Sequence, residues 1–408
     1  SGQSAGGDNS SRTLTVWHMH GDYTAETMKA INEKFTAKTG AKVDAQLQQW
    51  DGITTKVTSA LATQDPPDVI DMGNTQVATY AANGALMDIT PHKEDLQQGN
   101  TWLDGLVDPA TIDGKLYGVP GFAGCRAVIY NKKVWKDAGI TEEPTSFEQV
   151  LKDLEKIGAQ HDKSTFSPLY LPGQMWYSGL QFLWDAGGQI ATESGGTWEA
   201  GFSTPEGIQG LKDWKKFQNA VSSPASQSLD TDKPPIEVVF ANGDAAAIIQ
   251  TPVYIEKIKK ANPDLTDEDL GTFPMPSQYE DGTQPVMLGG SDWGIAARSQ
   301  NQDLALEYLK IASSTEIQTE WVAGNDNWLP TSVEGLEKAK EQAPRLKQAY
   351  LTAAKNSKAT PANPNWTELE ATKEINHLFS DVASGDKTPQ QAAADFDAKA
   401  DEVLNSGS

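Results

Sequence analysis

Short apolar runs alternate with helical stripes from the start of the chain. Leu14-Thr15-Val16-Trp17 reads as a buried strand. Met28, Ile31 and Phe35 recur at i, i+3, i+7, a helical stripe with Gly40 as its stop. Lys42 to Trp50 reads as a strand with Val43, Ala45 and Leu47 alternating. Ile53, Val57 and Leu61 mark a second helix over 51–62, which Pro66-Pro67 ends, and Asp68-Val69-Ile70-Asp71-Met72 is a third strand. This β-α-β-α-β order predicts a mostly parallel sheet covered by helices.

Farther on, Asp113-Gly114 sits inside a strand-like stretch to Pro120, a strong hairpin signal, and Arg126 to Tyr130 is another strand. Val134 to Ala138 reads as a short helix. Thr145 to Gln160 is an amphipathic helix with Phe147, Val150, Leu151 and Leu154 on one face, and Ser146 with Gln149, or Thr145 with Glu148, forms its capping box. Helices are expected over 175–186, 205–221, 236–242, 304–313 and 315–323, and strands over 245–250 and 293–297. The last 70 or so residues read as mainly helical. No repeat and no low-complexity linker appears, as two lobes joined by several crossings would leave none.

Composition narrows the partners. A chain of 408 residues suits two or three domains. Its formal charge of −23 repels phosphate backbones and anionic lipid, which argues against nucleic acid and favours a neutral or cationic ligand. Acidity also serves solubility alone. The single cysteine, Cys125, lies by the apolar run Ala127-Val128-Ile129-Tyr130 and reads as a buried structural thiol. No stretch reaches the roughly 20 apolar residues that span a bilayer, and none reads as a signal peptide. Ser1 to Arg12 is small and polar, a flexible tether. Such a tether suits a cell-surface lipoprotein anchored through a Cys preceding Ser1, or equally a chain trimmed at its start.

Candidate chemistry is mostly excluded by missing motifs. There is no phosphate-binding glycine loop and no Gly-x-Ser-x-Gly elbow. His18 and His20 share a strand face, but His92, His161 and His377 are scattered, so no metal site and no cofactor are expected. A pair of carboxylates for glycoside hydrolysis is the main competing class, since 56 acidic residues leave many pairs. Twelve tryptophans stand out. Trp17, Trp50, Trp293, Trp328 and Trp366 fall at strand ends or loops, and ligands of parallel sheets sit at the carboxyl ends of strands. Flat rings suit the apolar faces of sugars, and in-plane hydroxyls need polar partners. Such partners lie close by: His18, His20 and Asp22, Asn74 and Gln76, Asp292, and Asn325 and Asn327.

An ordered series of short segments then resembles one family. They run from Phe35-Thr36-Ala37-Lys38-Thr39-Gly40 and Asp65-Pro66-Pro67-Asp68-Val69 through Tyr80–Leu86 and Asp88-Ile89-Thr90. The most specific is Asp113-Gly114-Lys115-Leu116-Tyr117-Gly118-Val119-Pro120 with Tyr130-Asn131-Lys132 after it. Trp184–Gly188, Gly243–Ala246, Gly289-Gly290-Ser291 and Leu329-Pro330-Thr331 complete the series. The chain resembles the family 1 extracellular solute-binding proteins of ABC transporters, the maltose-binding-protein-like group, and especially its actinobacterial sugar-binding lipoproteins.

The resemblance implies an α/β, two-lobed periplasmic-binding-protein-like fold of type II, with mixed, mostly parallel sheets flanked by helices and a ligand cleft at the hinge. It implies a tether over 1–11, an N-terminal lobe of 12–122 plus 291–328, and a C-terminal lobe of 123–290 plus 329–408. The implied function is an extracytoplasmic receptor, not an enzyme, that closes around a di- or trisaccharide for an ABC importer. The same fold with a non-sugar solute is the alternative, and a secreted glycoside hydrolase a lesser one. The implied partners are an oligosaccharide and permease subunits, with no nucleic acid and a monomeric receptor. The implied ligand-binding residues are His18, His20, Asp22, Trp50, Asn74, Phe122, Arg126, Trp176, Tyr177, Thr251, Ser291, Asp292, Trp293, Trp328 and Trp366, with no catalytic and no metal residues. Gln250-Thr251-Pro252 departs from the Gly-containing pattern commoner in the family. By this reading Trp293→Ala weakens sugar binding.

Overall fold

The computed structural model describes residues 6–162 and 164–407. The chain forms two compact units. The first comprises residues up to Gly124, Leu288–Gln342 and Lys358–Pro364, and the second Cys125–Met287, Ala343–Ser357 and the residues from Asn365 onward. Eight strands matter below: β1 (Thr13–Met19), β2 (Lys42–Gln48), β3 (Val69–Gly73), β4 (Val119–Gly124), β5 (Ala127–Asn131), β6 (Ala247–Gln250), β7 (Leu270–Phe273) and β8 (Gly289–Ile295).

The first unit is built on a five-stranded sheet of order β2-β1-β3-β8-β4. β1 runs parallel to β2 and β3, and β8 lies antiparallel to β3 and β4. Leu14 and Val16 of β1 are fully buried. The helix Ala25–Thr39 buries Met28, Ile31 and Phe35, the stripe read from sequence. It starts at Thr24, whose hydroxyl accepts from the Thr27 amide, and ends at Gly40 with φ 82°. Only an αL residue lets the chain turn there and return the Gly40 amide to the Thr36 carbonyl. The helix Ile53–Leu61 buries Ile53, Val57 and Leu61 as expected. Asp113 and Gly114 both take positive φ and join Thr111–Ile112 to Lys115–Leu116, the expected hairpin.

β2 departs from expectation. Its alternation of Val43, Ala45 and Leu47 suggests a buried face, yet Leu47 is 52% exposed. β2 is an edge strand, paired only with β1; Val43 still packs against the core, while Ala45 and Leu47 are exposed.

The second unit has a three-stranded antiparallel sheet, β6-β5-β7. Around it the helix Trp176–Asp185 is buried along nearly its whole length. It packs so closely on neighbours that a Cβ on Gly179 would lie 2.4 Å from the Phe379 ring, and one on Gly210 2.7 Å from Leu183. Helix Phe147–Gly158 is capped by Ser146 alone, because the Gln149 side chain turns to Asp153 instead of back to the cap. The Thr315–Ala323 helix is a π-type turn over Ile317–Ala323.

The tether was read as 1–11. Residues 1–5 lie outside the described ones, but Asn9 is buried, donating to the Thr39 carbonyl and accepting from Arg12. The next residue but two, Arg12, is 8% exposed and forks onto Asp303 at 2.7 and 2.9 Å, so ordered structure starts earlier than the polar composition suggests. The first unit also extends beyond 328. Thr331 accepts from Leu103 and donates to Gln318, Val333 donates to Thr101, and Glu334 accepts two bonds from Thr101, which ties 329–342 to the first unit.

Candidate functional site

In the first unit the turn after β1 organises the candidates. His18 is half-buried, His20 exposed and Asp22 buried. The Trp50 indole donates to the His20 carbonyl at 2.9 Å and the ring stays 41% exposed. At the other end of the same turn the Trp328 indole donates to the Asp22 carbonyl at 2.6 Å. Trp328 is half-buried and stacked on Phe122 at 4.4 Å. Local backbone explains that placement. Leu329 and Ala123 exchange both backbone bonds, and Asn327 takes φ 62°. Asp326 accepts from the hydroxyls of Thr24 and Thr27, which pins the loop to the start of a helix. Two part-exposed indoles thus flank one polar turn.

Beneath it Asp22 meets a second buried acid, Asp71, which the sequence reading did not single out. Asp71 accepts from the Met19 amide at 3.0 Å. Burial pushes Asp71 up to about 6, while burial first, and then the Asp71 charge and a hydrogen bond to it, push Asp22 up to about 10. The two carboxyls face each other, and Ser291 and Tyr23 extend the chain of contacts. Tyr23 stacks on Trp293 at 5.0 Å, and a Cβ at Gly121 would lie 2.1 Å from its hydroxyl. The register of β8 against β4 shifts at this point, between Ser291 and Asp292. An aspartate inside the apolar run of β3 was the available sequence signal for Asp71.

Trp293 departs from the role that the resemblance implied. It is fully buried, stacked on Tyr23 and edge-on to Tyr308, inside the core of the first unit. Strand alternation also sends Asp292 and Trp293 to opposite faces. Asp292 is fully buried with neither oxygen partnered, and burial holds it well above its ordinary value. Asn74 is spent on the Leu288 carbonyl and Gln76 on the Gly73 amide. Ser291 is buried beside Asp71. Trp293, Asp292, Asn74 and Ser291 therefore support the surface and do not present it.

In the second unit a stacked column gathers the candidates. The Arg126 guanidinium lies 3.9 Å from the centre of the Tyr177 ring, Tyr177 stacks on Trp176 at 4.0 Å, and Trp366 meets Trp176 edge-on at 6.4 Å. Trp176 and Trp366 are buried and back the column, while Tyr177, Arg126 and Thr251 are half-buried. Thr251 directly follows β6, whose departure from the commoner Gly pattern leaves a branched side chain at the strand end. Glu370, also missed, lies near Tyr177, and burial lifts it to about 7 against the pull of the Trp366 indole. Cys125 is fully buried, its thiol facing the Tyr350 carbonyl and pushed up to about 12. Among the described residues no three His, Cys, Asp or Glu side chains are placed to hold a metal ion. Nor is any helix long and apolar enough to cross a membrane.

Comparison with known proteins agrees with this picture. The sequence profile described as "Bacterial extracellular solute-binding protein" matches residues 21–319. The diacetylchitobiose binding protein DasA of Streptomyces coelicolor is 34% identical over 398 residues, 96% of this chain and 90% of that protein. The maltodextrin-binding protein MdxE of Bacillus subtilis is 25% identical, over 81% of this chain and 75% of its own. The sugar-binding protein MalE of Xanthomonas citri superposes with a TM-score of 0.81 at 20% identity, covering 96% of this chain and 97% of that one. A cyclo/maltodextrin-binding protein complexed with maltotetraose gives 0.79 at 22% identity, covering 97% of each chain. The fold is that of the type II periplasmic binding proteins, and the chain belongs to the bacterial extracellular solute-binding proteins.

Proposed function

We propose that this protein is an extracytoplasmic receptor for a short oligosaccharide of two or three sugar rings, which it hands unchanged to the permease of an ABC importer. The observation that carries the reading is the polar turn His18–Asp22 held between the part-exposed rings of Trp50 and Trp328. Indole faces cover the apolar side of a pyranose, and the turn supplies groups that match its hydroxyls. Relatives named for diacetylchitobiose, maltodextrin and galactooligosaccharides support a sugar over other solutes.

The receptor closes around the sugar by a hinge motion, as the family resemblance implies; a state with more contacts to the ligand gains population when ligand is present. The receptor works as a monomer. Lipid anchoring at the cell surface is the finer reading of location, checked by labelling the native protein with a fatty acid.

Thermal unfolding across a panel of cello-, chito-, xylo- and malto-oligosaccharides tests the function. One class should raise the midpoint with concentration, following RT ln(1 + [L]/Kd). The sugar should be recovered intact by chromatography. No shift with any sugar, or shorter products, refutes the reading.

A further inference from the structure

We infer that Arg126 is the specificity-determining residue of the sugar site, recognising a planar oxygen acceptor on the ligand, the carbonyl of an acetamido group or the carboxylate of a uronic residue. The inference rests on the oligosaccharide reading above and narrows its ligand class.

The chain has four arginines. Arg12 forks onto Asp303 and also reaches Asn9 and Asn301. Arg298 donates to the Ala62 carbonyl, and Arg345 to the carbonyls of Leu270 and Asp267. Arg126 alone donates to no group among the described residues, and its Nε is buried without a partner. The groups that act on it are Tyr177, Tyr254, Cys125 and Tyr350, with no carboxylate among them, in a chain that carries 56 acidic residues. An unpaired, largely desolvated cation is costly to hold. Here it is also held in place: its guanidinium carbon lies 3.9 Å from the centre of the Tyr177 ring, itself stacked on buried Trp176, which limits its movement before any ligand arrives.

A guanidinium offers parallel N–H donors that match a planar acceptor better than the scattered lone pairs of hydroxyls. A plain neutral oligosaccharide leaves that fork underused. The −23 charge of the chain opposes a free anion, which favours the neutral acetamido carbonyl over the carboxylate.

The test is calorimetric titration of matched pairs. Di- and tri-N-acetylchito-oligosaccharides are set against cello-oligosaccharides of equal length, which share the backbone and differ at C2. Glucuronosyl-xylotriose is set against xylotriose. Wild type should bind the substituted member of at least one pair about 10- to 100-fold more tightly, the worth of one charge-assisted bidentate contact. Arg126→Met should reduce that ratio to within about threefold, and Arg126→Lys should keep an intermediate ratio. An advantage in the first pair assigns the acetamido group, and one in the second the carboxylate; both support the inference. Plain members binding wild type as well as their partners, or a ratio that survives Arg126→Met, overturns it. If Arg126→Met does not fold, the ratio in Arg126→Lys decides, and a ratio unchanged from wild type overturns the inference. Binding of no sugar at all would instead remove the oligosaccharide reading on which the inference stands.

Discussion

The buried pair Asp22 and Asp71 gives a prediction whose size follows from the structure. Both carboxyls are raised, Asp22 to about 10 and Asp71 to about 6, chiefly by burial. In the unfolded chain each titrates near 4. The folded state therefore binds more protons than the unfolded one above about pH 4, and stability falls as pH rises. The stability linked to these groups is complete below their unfolded value and is lost progressively through about 6 and then about 10.

Each retained proton costs about 1.4 kcal/mol per pH unit. From pH 5 to 8, the proton kept by Asp22 removes on the order of 4 kcal/mol. In Asp22→Asn the side-chain amide can donate to an ionised Asp71, which already accepts from Met19. No proton need then be held there. Tyr23, Ser291 and Asp292 also face this pair, and they are the same in both proteins, so their contributions cancel in the comparison. Melting curves of the two proteins should converge near pH 4 and separate by several degrees at pH 8, with the variant the more stable. Parallel pH profiles between 5 and 8 would refute a proton held by this pair.

Trp328→Ala should weaken sugar binding by about 1.5 kcal/mol or more, read by calorimetry, because it removes a ring that stacks on Phe122 and a tie to the Asp22 carbonyl. Trp293→Ala should instead lower stability by about 3–5 kcal/mol in denaturant titration, since the ring is fully buried between Tyr23 and Tyr308. Cys125 should resist a thiol reagent in the native protein at pH 8 and react at once in denaturant, being buried and raised to about 12.

Local signals in the sequence carried the elements well. The stripe Met28, Ile31, Phe35 and the stop at Gly40 gave a helix because capping and periodicity are settled within a few residues. What layer an element faces is not local. Leu47 alternates like a core residue but lies on an edge, and Trp293 sits at a strand end like a ligand platform but points into the core. Asp22 and Trp328 were both legible as candidates, whereas their hydrogen bond spans 306 positions in sequence and only folding reveals it. Asp71 was readable as a polar residue in a buried strand, yet its partner Asp22 comes from a different strand end. Arg126 was visible as a candidate, but its lack of a partner is a statement about every other side chain and no sequence pattern contains it.

The central claim is that this fold holds an intact short oligosaccharide through exposed rings and hydroxyl-matching groups. Isothermal titration with the sugar that raises the melting point most, followed by chromatography of the cell contents, tests it directly. One sugar bound per chain, a negative heat-capacity change from burying ring faces, and full recovery of the starting sugar are the expected result. A flat titration, or fragments of the sugar in the recovered solution, would contradict it.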